Sequence, residues 1–266
     1  MSDHLAEDFT SRYGPWALIA GASEGLGAAF AECLAKQGIH LLLVARRREP
    51  LEALAGELRA EFGVEVVTTS LDVADETALT AFIAAIDVEL GLVICNAAYS
   101  AVGAFLETPP EQLKQIVGVN VIAPLVMVRL LAPQLKARGK GVIINVIGAA
   151  GERPAPGYIA GAGGNAAIMA MTRAMGAGSS ADGIRVVGIN PGMIETDRLV
   201  LRPLRRSDEG LLTMYSGDKR VAETTRSIPH PLPPGAAENF VTRSMAPNAE
   251  ELVWVMDSTA AGGSEV

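Results

Sequence analysis

The most informative segment of this chain is Ala20-Gly21-Ala22-Ser23-Glu24-Gly25-Leu26-Gly27. It lies between the apolar run 16–19 and the apolar stretch 28–35, which predicts a strand, a glycine turn and a helix. Glycines let the backbone turn tightly and approach a ligand, and the first N–H groups of the helix then face an anion such as a pyrophosphate. The alternative is an ordinary glycine-rich turn, but the flanking elements favour a nucleotide site.

The rest of the chain alternates apolar runs with amphipathic stretches, which is typical of a parallel sheet covered by helices on both faces. Further strands are predicted at 39–45, 64–69, 91–96, 141–146 and 184–189. Helices are predicted at 51–62, 78–86, about 110–137 and roughly 161–178. With right-handed crossovers, the sequence predicts a three-layer, doubly wound α/β fold of the Rossmann type. We expect residues 1–266 to form a single domain of this type.

Composition narrows the possible partners. The chain has 266 residues and a net charge of −8, which argues against nucleic-acid and anionic-membrane partners. We expect a cytoplasmic protein, because residues 1–8 are acidic and no apolar run approaches the ~18 residues of a membrane span. Cys33 and Cys95 are predicted to be buried free thiols. The three histidines show no spacing typical of a metal site or a triad.

Further motifs follow the glycine turn in a fixed order. They are Leu71-Asp72-Val73, Cys95-Asn96-Ala97-Ala98, Asn120, and Asn190-Pro191-Gly192 with Thr196. Together with the spacing Gly-x-x-x-Gly-x-Gly, they resemble the short-chain dehydrogenase/reductase family over roughly residues 14–200. The resemblance implies an oxidoreductase that transfers a hydride between a nicotinamide cofactor and a small carbonyl or alcohol.

The resemblance also implies which residues bind the cofactor. The pyrophosphate is expected on Gly21, Ser23, Gly25, Leu26 and Gly27. Asp72 and Val73 are expected at the adenine and Asn96 under the ribose, although a cap or turn role for Asp72 or Asn96 is an equal alternative. The remaining positions of the expected cofactor site are Asn165, Pro191, Gly192, Ile194 and Thr196.

Arg46 follows the second predicted strand, where the adenosine ribose of the cofactor is expected. An acidic residue there would favour NAD(H), whereas a guanidinium accommodates a 2′-phosphate, so we predict NADP(H) over NAD(H). The alternative is a solvated basic turn, and the nearby Glu24 opposes phosphate binding.

The catalytic positions implied by the resemblance depart from the family pattern. Asn120 matches the family's Asn, but the Ser position is Gly148, the Tyr position is Gly161 and the Lys position is Asn165. Tyr158 lies three residues before Gly161 and is either a substitute acid or a tyrosine that packs at a helix start. Two hypotheses stay open: an oxidoreductase with altered acid–base groups, and a nucleotide-binding pseudoenzyme that acts as a sensor or partner subunit.

The C-terminal part differs in character from the rest. Residues 197–246 are predicted to be an irregular lid over the substrate, and 228–235 contains four prolines. A helix is predicted over 249–256, and the family's seventh strand is expected to be cut short. Glu152, Arg153 and Glu195 are candidate contacts for a polar substrate or solvated loop charges. We expect a homodimer through the helices at 110–137 and 161–178.

Overall fold

The computed structural model describes residues 9–101, 103, 105–154, 156–192, 200–217, 229–246 and 254–257. The chain divides into two compact units, Met1–Gly192 and Met193–Val266. The assignment of the whole chain to one domain stays a prediction.

The first unit is built on a six-stranded parallel sheet. Its strands are β1 (Trp16–Ala20), β2 (His40–Ala45), β3 (Val66–Ser70), β4 (Leu90–Cys95), β5 (Gly141–Val146) and β6 (Ile184–Ile189). They lie in the order β3-β2-β1-β4-β5-β6. The order reverses between β1 and β4, which confirms the predicted doubly wound fold and places a ligand crevice beyond the carboxyl ends of these two strands.

Helices cover both faces of this sheet. They are α1 (Gly25–Ala35), α2 (Arg48–Phe62), α3 (Glu76–Ala84), α4 (Pro110–Val117), α5 (Ala123–Arg138) and α6 (Ile159–Ser179). Successive residues of β1 point to opposite faces, so Leu18 joins one apolar core and Ile19 the other. Both side chains are fully buried, because a parallel sheet between two helical layers has no solvent-facing side.

The segment Pro110–Arg138 is one long helix interrupted by a π-helical turn at Gly118–Ile122. Its most apolar 18-residue window has a mean hydropathy of 2.0, so by length and composition alone it is apolar enough to cross a membrane. This corrects the expectation that no apolar run approaches such a length. In the structure 44% of the window is buried, and Met127, Leu131 and Leu135 lie in the core beside the sheet.

The second unit contains an antiparallel pair of strands, β7 (Val200–Pro203) and β8 (Trp254–Asp257). Its helices are α7 (Glu209–Gly217) and α8 (Ala236–Ser244). The helix predicted over 249–256 is wrong for residues 254–256, which belong to β8. The predicted lid region 197–246 thus contains β7, α7 and α8, and its role as a lid stays a prediction. Residues 229–235 contain neither helix nor strand, as their prolines predict.

The second unit has its own apolar core and a buried ion pair. Leu204, Val241 and Val255 are buried together. Arg202 donates two hydrogen bonds to Asp208, Nη1 to Oδ2 at 2.9 Å and Nη2 to Oδ1 at 2.8 Å. The side chains are only 6% and 3% exposed. The hydrogen bond from Arg202 is the main reason why the pKa of Asp208 lies below its usual value.

The two cysteines differ in exposure. Cys95 is buried at the end of β4, and burial raises the pKa of its thiol to about 12. Cys33 is exposed on α1, so the prediction of two buried thiols is wrong for Cys33. The prediction was based on the apolar stretch around Cys33. In the structure α1 buries only the face that contains Ala31, Leu34 and Ala35, and Cys33 lies on another face.

Candidate cofactor-binding and active site

At Gly21 and Gly27, the turn after β1 is packed too closely for a residue that carries a Cβ. Gly21 has φ +80°, and a Cβ there would lie 2.6 Å from the Cα and the N of Ala97. A Cβ on Gly27 would meet the Gly21 carbonyl oxygen and lie 2.8 Å from Asn96 Nδ2. The glycines therefore bring the turn, the start of α1 and the loop after β4 into direct contact.

Asn96 joins the two strands at which the sheet order reverses. Its Nδ2 donates to the Gly21 carbonyl at 2.9 Å, and its backbone N–H donates to the Ala20 carbonyl at 3.1 Å. These bonds give Asn96 a structural role at the mouth of the crevice, whichever ligand occupies it.

The N-terminus of α1 opens beside this turn. Its N-cap, Glu24, is extended and makes no side-chain capping bond, and the first turn holds no acidic residue. The first-turn N–H groups have no partner within the helix, and the helix dipole adds partial positive charge there. The site can therefore stabilise an anion such as a pyrophosphate.

A cavity of about 490 Å³ lies at this position. Six of the predicted cofactor residues line it: Gly21, Ser23, Arg46, Asp72, Val73 and Asn96. The predicted residues Gly25, Leu26 and Gly27 form the adjacent start of α1. The sequence did not identify Ala97, Ala98 or Val119 as lining residues, although each lies within two positions of the predicted residues Asn96 or Asn120.

Arginines form the rim of the cavity at the end of β2. Arg46 and Arg47 both line it, and the Arg47 guanidinium pairs with the Glu24 carboxylate. The turn is fixed by Ser70, whose Oγ donates to the Arg46 carbonyl at 2.9 Å. Asp72 Oδ1 accepts from the Ala74 N–H at 3.0 Å, which is the turn role that the sequence left open beside adenine recognition.

The predicted nicotinamide segment is only partly described. Pro191 and Gly192 follow β6 but do not line the cavity. Gly192 has φ +69°, and its N–H donates to Asn190 Oδ1 at 3.3 Å. The predicted residues Ile194 and Thr196, like Glu195, lie outside the described residues.

Asn120 lies in the π-helical turn, a feature frequent at functional sites. Its Oδ1 accepts from the Tyr99 N–H at 2.8 Å, and its Nδ2 donates to the Tyr99 carbonyl at 2.9 Å. A Cβ on Gly164 of α6 would lie 3.3 Å from Val121 Cγ2 and 4.0 Å from Asn120 Cβ. Asn120 thus fixes the loop after β4 and faces the inner side of α6.

Asn165 is bonded to the loop after β5 and does not line the cavity. Its side chain is buried, and its Oδ1 accepts from the Gly148 N–H at 2.9 Å. A Cβ on Gly148 would lie 2.8 Å from Asn165 Nδ2. The residues at the family's Ser and Lys positions are therefore fitted to each other.

Tyr158 and Gly161 are fitted in the same way. Tyr158 is the half-buried N-cap of α6, and Gly161 is buried one turn further on. A Cβ on Gly161 would overlap the hydroxyl end of the Tyr158 ring, with Cζ as its nearest neighbour. The spacing of three residues predicted a shared face, but the overlap of the two side-chain volumes is visible only in the structure.

Other candidate groups are peripheral. Glu152 and Arg173 approach to 3.9 Å with both side chains largely exposed, and Arg153 is exposed. Such surface pairs contribute little to stability. Within the described ranges, no group of three or more His, Cys, Asp or Glu residues is arranged to hold a metal ion.

The chain matches known proteins over its first three quarters. The family model "short chain dehydrogenase" matches residues 15–203. A 7beta-hydroxysteroid dehydrogenase from Collinsella aerofaciens is 33% identical over 190 residues, which are 71% of this chain and 72% of that protein.

Two other relatives show how much of a longer protein this chain matches and which cofactor a similar structure contains. A very-long-chain 3-oxoacyl-CoA reductase from Laccaria bicolor is 32% identical over 68% of this chain, and the match spans 55% of the reductase. A short-chain dehydrogenase from Sphingobium yanoikuyae, solved in complex with NADPH, superposes with a TM-score of 0.66 at 31% identity, over 69% of this chain and 73% of that one. The glycine turn, the sheet order and these matches lead to one conclusion: this chain belongs to the short-chain dehydrogenase family.

Proposed function

We propose that this protein binds NADP(H) in the 490 Å³ cavity and transfers a hydride between this cofactor and a small carbonyl or alcohol substrate. One observation carries the proposal. The glycine turn, the start of α1 and Arg46 converge on a single cavity at the point where the sheet order reverses. Ligands of doubly wound sheets bind at this point.

The residues around the cavity fit a dinucleotide. The Gly21–Gly27 turn and the α1 N-terminus would hold the pyrophosphate, because the first N–H groups of the helix and its dipole favour an anion there. Arg46 would contact a 2′-phosphate, and Asp72 and Asn96 would lie along the adenosine. When bound, the nicotinamide supplies or accepts the hydride.

The preference for NADP(H) rests on charge at the rim. Arg46 and Arg47 bring two positive charges, and the carboxylate of Glu24 is paired with Arg47. Arg46 would therefore meet a 2′-phosphate without competition from an unpaired Glu24 carboxylate. The relative solved with NADPH supports the same preference.

A second candidate function is nucleotide binding without turnover, as a sensor or partner subunit. The Asn165–Gly148 fit favours it, because this contact occupies the positions where the resembling family places Lys and Ser. Neither side chain there can donate a proton as an ordinary family member's groups do.

The test measures binding and turnover separately. Calorimetric titration with NADPH and NADH should give tighter binding of NADPH. Turnover should then be followed by NADPH absorbance on a panel of small ketones, a 7-oxosteroid and a 3-oxoacyl-CoA, the last two chosen from the activities of the relatives. NADPH binding with no turnover on the panel would favour the second candidate, and no binding of either cofactor would refute both.

We also propose a homodimer in the cytoplasm, formed through α5 and α6. A groove between these helices is lined by Leu125, Val128, Ala132, Met175 and Ile184. Leu130 and Met171 on the same two helices are exposed large apolar side chains. Light scattering at micromolar concentration should give twice the chain mass, and a strict monomer would contradict this proposal.

A further inference from the structure

We propose that Tyr158 is the catalytic acid–base residue of this protein and that Gly161 exists to make room for it. The inference rests on the proposed reductase function. Its starting point is the overlap between the Tyr158 ring and the position of a Cβ on Gly161. A phenol therefore stands on the inner face of α6 at residue 161, although the residue at 161 is glycine.

Tyr158 lies at the end of the sheet where the crevice opens, although it does not itself line the 490 Å³ cavity. Tyr158 begins the helix that follows β5, so it lies at the carboxyl end of the sheet, where ligands of this fold bind. The Gly103 N–H donates to the Gly157 carbonyl at 2.9 Å, which joins the loop after β4 to the segment before Tyr158. The backbones of these two loops therefore meet one residue before Tyr158.

Other groups on the same face of α6 are already engaged. Asn165 is bonded to Gly148, and Asn120, opposite Gly164, is bonded to both backbone groups of Tyr99. The hydroxyl of Tyr99 accepts a bond from Gln112 Nε2 at 3.4 Å, and its ring packs on the apolar core. Among the described residues on this face of α6, Tyr158 is therefore the side chain whose chemistry suits proton transfer, and Tyr99 is the other phenol of the neighbouring loop.

The proton transfer balances without a further reagent. As the carbonyl carbon of the substrate accepts the hydride, the electron pair of its C=O bond moves to oxygen. The Tyr158 Oη–H bond breaks while the new O–H bond of the alcohol forms, and solvent then returns a proton to the phenol oxygen. In the oxidation direction the same oxygen removes the alcohol proton.

A stability measurement tests the geometry without any turnover. Alanine in place of glycine normally stabilises a helix. Gly161→Ala should instead lower the melting temperature of the wild-type chain, and it should raise that temperature in a Tyr158→Ala background. Stabilisation in both backgrounds would show that the ring does not occupy this space and would overturn the proposal.

Kinetics test the chemistry. Tyr158→Phe should lower kcat at least ~10²-fold, the low end for a positioned acid–base group, while the Kd for NADPH stays within about twofold. Tyr99→Phe, which removes a phenol from the neighbouring loop, is the matched control and should retain most of the activity. A Tyr158→Phe variant as active as this control would overturn the proposal and leave the reductase function standing. A wild-type protein that binds NADPH without turnover would overturn the proposal and favour the pseudoenzyme, and no NADPH binding would refute the proposed function itself.

Discussion

The Arg47 guanidinium pairs with the Glu24 carboxylate across the rim of the cofactor cavity. Both side chains are about half exposed, so the pair contributes little to stability. Its effect is electrostatic: the Arg47 guanidinium offsets the Glu24 carboxylate at the rim of the cavity. Under the proposed function, Arg46 is then the cation that would distinguish the two nicotinamide cofactors.

Arg46→Ala should remove most of the preference for NADP(H) and leave NAD(H) affinity nearly unchanged. A guanidinium–phosphate contact contributes on the order of 1.5–3 kcal/mol, which corresponds to a ~10- to 150-fold preference. Calorimetric titration of both cofactors measures this. Arg48→Ala is the control, because Arg48 begins α2 two residues after Arg46 and does not line the cavity. Equal affinities of the wild type for both cofactors would contradict the assignment.

Gly21→Ala should destabilise the first unit by about 2–4 kcal/mol, because the new Cβ meets the Ala97 backbone at a positive φ. NADPH affinity should fall at least ~10-fold as the turn shifts. Gly56→Ala is the matched control, since nothing lies within 4 Å of a Cβ there. It should stabilise α2 by about 0.5–1 kcal/mol. Urea unfolding with and without NADPH compares the two variants.

Restoring the family residues should fail unless Tyr158 is also removed. The triple variant Gly148→Ser, Gly161→Tyr, Asn165→Lys places two phenol rings in one volume, so we expect a destabilised protein with little turnover. Adding Tyr158→Ala frees that volume and should raise both the melting temperature and the rate of ketone reduction. If the triple variant has the same melting temperature and the same rate as the quadruple variant, the proposed overlap is wrong.

The second unit should lose stability in acid. The pKa of Asp208 is lowered in the folded protein. Its ionised form therefore stabilises the folded second unit at every pH above the unfolded pKa of 3.8. This stabilisation is lost as the pH falls through the lower pKa of the folded state. Asp208→Asn should remove this acid dependence and destabilise the unit by about 3–5 kcal/mol at neutral pH, because Arg202 stays buried without its carboxylate. Hydrogen exchange of the second unit at pH 7 and pH 3 measures it. NADPH binding serves as the control, since the cofactor cavity is lined by first-unit residues.

The two thiols should react at different rates. Cys33 is exposed, whereas burial raises the pKa of Cys95 to about 12 and keeps it protonated at neutral pH. Titration with a thiol reagent should modify one cysteine in the native protein and two after denaturation. Cys33→Ser should remove the fast phase alone; a fast phase that persists in this variant would contradict the assignment.

The sequence predicted the sheet of the first unit well, because its central strands β1, β2 and β4 are short, buried apolar runs. The same reasoning failed at 254–256. An apolar run of this length suits a helix or a strand, and here a distant partner decides, since β8 pairs with β7 some fifty residues earlier.

The position of the cavity at the end of the sheet was predictable for a related reason, while the cofactor roles of its residues stay predictions. Its residues directly follow strand ends that the topology brings together, so Gly21, Arg46, Asp72 and Asn96 needed no knowledge of side-chain contacts. The catalytic region was not predictable in this way. Whether Tyr158 replaces the side chain missing at Gly161 depends on volume, and spacing along a helix does not report volume.

Because the Tyr158 ring occupies the space of a side chain at 161, substitutions at these two positions are coupled in evolution. With the Tyr158 ring in its present position, this backbone leaves no room for a side chain at 161. A lineage that moves its phenol from one position to the other must therefore pass through a small residue at 161 before, or together with, the arrival of tyrosine at 158. We expect the two positions to covary among relatives of this chain, so that a small residue at 161 accompanies an aromatic residue at 158.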